Sequence, residues 1–204
     1  MKSKLSHDDW VSALNNTELS ALDIIQLAKE HYGKFIWHPL GFILCKLSED
    51  GDRKIRLHIW PNNNDRMQKP AWLIHDHMFD LKSWVVAGKI ENTEYSLTEG
   101  KPNYRVYNAR YEKDSSVLYR SDRLICLSKN KKSLLNVGEI YEVPSGVLHQ
   151  SVSSSESTSL TVCETTNQPS ISPIIAGEIN GAGRYSYTRA QVDENDLHAI
   201  IAKI

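Results

Sequence analysis

Apolar residues change their period along this chain, recurring first at helical spacing and then at strand spacing. Asp8 to Asn15 has the pattern of a short amphipathic helix. A second helix is expected from Thr17, as N-cap, to about His31, because Leu19, Leu22, Ile25 and Leu27 recur near helical spacing and Gly33 follows as a stop. From Leu40 onward the segments shorten. GFILCKL and KIRLHIW flank Glu49-Asp50-Gly51-Asp52, a hairpin signal because Asp-Gly favours positive φ. Strands are expected around 72–78, 83–97, 103–112, 115–127, 139–143, 147–153 and 158–165, with Pro61 to Asn64 as a break and Ser153 to Ser157 as a turn. Short strands without intervening helices indicate an all-β sandwich or barrel. The stretch from Pro169 through Gly177, Gly181 and Gly183 reads as loop, followed by a helix over Glu194–Ala202. The expected organisation is a helical segment over 1–38, a β unit over 39–168, and a C-terminal loop and helix over 169–204, both ends packed on the β unit.

The 204 residues suit one domain, with 40% hydrophobic and 24% charged residues, an ordinary globular balance. No apolar run approaches the length of a membrane span, and the first ten residues contain no apolar leader core, so a cytoplasmic protein without membrane contact is expected. A net charge of −1 argues against a nucleic-acid partner, and the basic run Lys129 to Lys132 reads as a solvated turn. Cys45, Cys126 and Cys163 are widely spaced in apolar stretches, with no CxxC, and read as reduced, buried thiols.

The chemistry concentrates in WLIHDHMFDLKSWVVAGKI, Trp72 to Ile90. Residues two apart on a strand share a face, so His75 and His77 project together and Asp76 away. Such a pair can meet one divalent metal or can be a hydrogen-bonded polar pair at a strand end. A second stretch, GEIYEVPSGVLH, runs from Gly138 to His149. An HxH followed by Gly88, then Gly138-x5-Pro144-x-Gly146-x2-His149, resembles the two motifs of the cupin superfamily. The resemblance covers 75–149, most of the β region. It implies a mainly β fold, the cupin double-stranded β-helix or jelly-roll barrel, with N-terminal helices and a short C-terminal helix. It further implies that His75, His77 and His149 bind one divalent metal ion, Fe(II) in first place with zinc, manganese or nickel as alternatives. Pairing of copies into a homodimer is also implied.

The chain departs from that pattern where cupins carry a glutamate three or four residues after the second histidine: Leu81 and Lys82 stand there. Asp80 is one place early and is either a fourth ligand, turned inward by a bulge, or an ordinary exposed aspartate. Three neutral ligands without the glutamate are similar to the cysteine dioxygenase-like group, whose members hold the substrate carboxylate with an arginine on a preceding strand; Arg56 is the matching candidate. His58 shares the face of Arg56 and either lines the pocket or is a satisfied barrel residue. Trp84 and Tyr95 are pocket walls or plain core aromatics. The leading expectation is a non-haem iron oxygenase or dioxygenase acting with O2 on a small thiol or amino-acid-like carboxylate. The alternatives are a non-redox metal-dependent isomerase, lyase or hydrolase, and a non-catalytic cupin that binds a small ligand.

Overall fold

The structure is a computed structural model and describes residues 3–63, 65–112, 115–153, 157–168 and 172–204. Two helices open the chain, α1 over His7–Asn15 and α2 over Ala21–His31. Both start on a capping box. Ser6 accepts from the Asp9 amide while Asp9 returns the bond, and Ser20 does the same with Asp23. Ser20 rather than Thr17 is therefore the cap of α2; Thr17 instead takes a positive φ of 56° in the turn after α1. Gly33, at φ 62°, ends α2 as the spacing predicts.

The β region follows as β1 (Phe35–Trp37), β2 (Ile43–Asp50), β3 (Arg53–Trp60), β4 (Phe79–Ala87), β5 (Ile90–Leu97), β6 (Tyr104–Glu112), β7 (Ser115–Ile125), β8 (Leu127–Leu135), β9 (Ile140–Val143), β10 (His149–Ser153), β11 (Ser159–Asn167), β12 (Ile174–Gly177) and β13 (Arg184–Thr188); α3 spans Glu194–Ile201. One sheet has the order β1-β2-β3-β11-β4-β9. Opposite it lie β10-β5-β8 and β12-β6-β7-β13, and single-residue bridges from His75 to His149 and to Ile175 join these into one layer. From β3 onward the chain repeatedly crosses between the layers: the segment around His75, then β4, then β5, and later β8, β9, β10, β11 and β12 in alternation. All pairings are antiparallel. This winding is the jelly-roll double-stranded β-helix that the two histidine motifs imply.

Burial on β3 alternates as a strand between two different surroundings should. Ile55, Leu57 and Ile59 are fully buried on the outer face, where they pack with Trp10, Ile24, Leu27 and Leu197 of the helices. Arg56, His58 and Trp60 occupy the opposite face, towards the barrel interior, with Cys163 and Thr161 as neighbours on β11.

Four expectations change. The run 83–97 is two strands on opposite layers, because Gly88 turns the chain at φ 68°. Around 72–78 only His75 is bridged, with no continuous strand. Lys129 to Lys132 lie within β8, at the edge of its sheet, where exposed lysines discourage a second strand from adding. The tail past Pro173 supplies β12 and β13 rather than loop alone. Asn64, Ser154 to Glu156 and Pro169 lie outside the described residues. None of the helices among the described residues is long and apolar enough to cross a membrane.

Candidate metal centre

The stretch 74–76 is held on both sides. His75 exchanges both backbone bonds with His149, at 3.0 and 2.9 Å, while the Asp76 amide donates to Ile174 and the Ala176 amide to Ile74. Asp76 points away from the histidines, as the strand period predicts, and its Oδ1 accepts the Ile174 amide at 2.6 Å. The turn containing Pro144 and Gly146 is tied to the first motif through Gly146 N–H to His77 O, 3.0 Å. Gly146 sits at φ 77°, a conformation that suits glycine. These bonds bring two sequence segments more than seventy residues apart into one site.

The three rings form a nearly equilateral triangle. Their centroids are 4.7 Å (His75–His77), 4.8 Å (His75–His149) and 4.9 Å (His77–His149) apart. Each offers a nitrogen, and these nitrogens lie within 4.8 Å of one another. His75 Nδ1 lies 2.7 Å from Leu73 O, and His149 Nδ1 3.1 Å from Val147 O. A carbonyl can only accept, so Nδ1 carries the hydrogen in both rings and Nε2 is left as a free lone pair. His77 is fixed differently, stacked on Phe79 at 4.4 Å and 14°. Burial pushes the His149 imidazole down to about 3, with His75 adding to the effect. His75 is lowered by burial, and His77 falls well below the usual range through burial and then the neighbouring histidines. Three neutral imidazoles with lone pairs on a common side are a donor set that fits a divalent transition metal.

The other expected residues divide. Arg56 is half-buried, donates to Thr165 Oγ1 at 2.7 Å and lies 5.6 Å from the centre of the Phe79 ring that backs His77. It has no carboxylate within ion-pair distance among the described residues, and burial lowers its pKa. His58 also faces the interior. Asp80 is not with the cluster: it is exposed, and its two oxygens accept from the Ser145 amide at 2.9 Å and Gln168 Nε2 at 2.8 Å. Trp84 is not a pocket wall. It faces the helices within the outer core and donates to Asn15 Oδ1 at 3.1 Å. Tyr95 likewise packs on the far side of its sheet with Ile74 and Leu148, the residues whose neighbours are the histidines. Trp84 faces out by strand parity alone, an odd number of residues after His77 on the same run, whereas the placement of Tyr95 follows from the turn at Gly88, which resets the inward parity between β4 and β5.

Sequence reasoning missed Phe79, although its i+2 relation to His77 gave a signal. It also missed His38, which stacks on Phe42 at 4.2 Å and 14° and is kept neutral by burial; nothing local marks it. All three cysteines are free; Cys45 and Cys163 are buried as expected, whereas Cys126 is only half-buried.

No family model matches this sequence, and neither does any curated protein. Solved structures of similar shape include hydroxypropylphosphonic acid epoxidase from S. wedmorenis, at 13% identity over 80% of this chain and 90% of that one, with a TM-score of 0.37. A cupin-like protein from Thermotoga maritima matches at 13% identity, covering 81% and 87%, with a TM-score of 0.35. A structure of DMSP lyases matches at 12% identity over 65% of this chain, with a TM-score of 0.36; the chain spans about half of its length, 51%.

Proposed function

We propose that this protein is a metal-dependent cupin enzyme acting on a small anionic molecule, and that its reaction is an oxygenation at non-haem iron. The observation that carries the reading is the set of three converging neutral imidazoles with no carboxylate in the cluster among the described residues. Fe(II) in such a set would supply a redox-active centre that keeps its full charge and several open coordination positions.

The protein's own residues would do the rest. His75 and His149 present Nε2 because backbone carbonyls fix their Nδ1 hydrogens, and His77 is held flat by Phe79. Arg56 supplies a half-buried guanidinium without a carboxylate partner among the described residues, one ring, Phe79, away from the cluster and suited to a carboxylate held bidentately. Binding there aligns the substrate's other end with the histidines, which is where positioning lowers a barrier most. A second reading, zinc as a Lewis acid in a lyase or hydrolase, is favoured by the same donor set, since three histidines and an open position also suit catalytic zinc.

The test is the metal content of protein purified without added metal, beside a His77→Ala variant. One equivalent of iron in the parent, lost in the variant, with oxygen uptake on adding L-cysteine, is the expected result. Stoichiometric zinc and no oxygen uptake would transfer the assignment to the second reading. No metal in either protein, even after reconstitution, would sink both and leave a ligand-binding module.

A further inference from the structure

The two layers of the barrel end differently on their two sides. On one side the chain leaving β13 closes the gap: residues 190–192 lie along β1, with the Trp37 amide donating to Ala190 O at 2.7 Å and the Val192 amide to Phe35 O at 2.9 Å. On the other side both layers stop at open edges. Among the described residues, β9 ends the six-stranded sheet and pairs only with β4, while β8 ends the opposite layer and pairs only with β5. Each of those pairings is antiparallel, and the chain reverses between β4 and β5 at Gly88, so the two open edges run in opposite directions. Residues 136–139 join them and are all exposed.

The edges carry apolar side chains left in water: Leu134 is 57% exposed, Val137 57% and Ile140 43%. Strand parity sorts their neighbours. On β8, Leu134 and Lys132 share the outward face, with Leu135 buried on the other. On β9, Ile140 and Glu142 share the outward face, and Val143 is buried. Lys132 meets Glu91 of its own sheet at 2.8 Å, and Glu142 has no ion-pair partner among the described residues. Counted away from the connection, each edge is apolar and then charged, and the two charges have opposite sign.

We propose that this protein is a two-fold dimer in which β9 of each copy adds to β8 of the other, with Ile140 opposite Leu134 and Glu142 opposite Lys132. A two-fold axis along the strands, between the barrels, exchanges the two layers and leaves strand directions unchanged. β9 then meets β8 of the second copy antiparallel in both layers at once, and each layer runs through the interface as one sheet. All four open edges are used, so the assembly closes at two copies. The register keeps outward faces together, because a slip of one residue would set outward positions against inward ones. The two connections meet at the same end, which brings Val137 beside its counterpart. Lysines on an exposed edge turn away strands in general; β9 is admitted because it offers a carboxylate to Lys132, and opposite charges across a strand pair stabilise it where like charges do the reverse.

Gel filtration with light scattering reads the assembly. The unaltered protein should run at twice the chain mass at micromolar concentration. Ile140→Asp and Glu142→Lys should each raise the dimer dissociation constant by about tenfold or more, the second by setting a lysine against Lys132. Both are exposed edge positions, so the fold, followed by circular dichroism, should survive. Combining Glu142→Lys with Lys132→Glu exchanges the charges and should recover at least part of the dimer. A protein that stays monomeric, a dimer that ignores both single substitutions, or growth into larger species with concentration would overturn the proposal. A double exchange that recovers nothing would overturn the register on which it rests.

Discussion

At the scale of single residues, the barrel interior is defined by histidines that cannot hold a proton. The His58 and His149 imidazoles are each pushed down to about 3, mainly by burial. In the unfolded chain the same rings titrate near 6.5. Between those limits the unfolded state binds protons that the folded state refuses, so acid favours unfolding. The stability of the metal-free protein is expected to be intact above about pH 6.5 and to fall towards pH 3, by about 1.4 kcal/mol per pH unit for each such ring. Urea midpoints measured from pH 7.5 to 4 would check the slope; a flat profile would contradict the burial of neutral imidazole. The clustering of the three histidines was legible in the sequence, because HxH on one face and the Gly-Pro-Gly-His spacing are both short-range patterns. For Asp80 strand parity alone pointed outward and only a bulge could have turned it in; the structure has no such inward turn, and two ordinary hydrogen bonds hold it outside.

At the scale of elements, the turn at Gly88 decides which residues can reach the site. A Cβ there would stand 2.8 Å from the Ser159 Cα, and φ is 68°. Gly88→Ala should destabilise the protein by about 2–3 kcal/mol, from left-handed strain together with overpacking. Thermal melts would show it, and a loss under 0.5 kcal/mol would mean the turn adapts freely. The same turn explains the placement of Tyr95, while Trp84, before the turn, faces out by parity with His77 alone. Tyr95 belongs to a strand that the sequence announces clearly, yet a period of two gives parity only within one strand. Crossing a turn resets it. The lysines of β8 show the converse problem: a polar, charged run carries no core signal, and its strand character comes from its pairing with β5. The capping boxes at Ser6 and Ser20 are local bonds, yet apolar spacing alone placed the start of α2 three residues early, at Thr17.

At the scale of the molecule, helices and barrel share one core. Trp10, Ile24 and Leu27 are buried against the outer faces of β2, β3 and β11, and Leu197 of α3 closes the same cluster. This leaves the inner face free for polar chemistry, since the hydrophobic stabilisation is supplied from outside the sheet. The general architecture was readable because many short strands without intervening helices admit few arrangements. The joining of β12 and β13 to the barrel was not, because Gly177 and Gly181 read as loop while their actual constraint is close approach: a Cβ at Gly177 would meet the Trp72 ring.

The junction at His75 has a kinetic consequence. One layer of the barrel is two smaller sheets stitched through residues 74–76, and the stitch is the backbone of one of the three clustered histidines. A seam that narrow is where such a layer would first breathe, and an ion gripping both His75 and His149 would rivet the two sides together. Amide hydrogen exchange at His75, His149 and Ala176 should therefore slow at least tenfold on metal loading, while Leu57 and Val162, deep in the other sheet, keep the same rate. Uniform slowing across both sheets would mean that the ion steadies the whole fold and that the seam has no opening of its own.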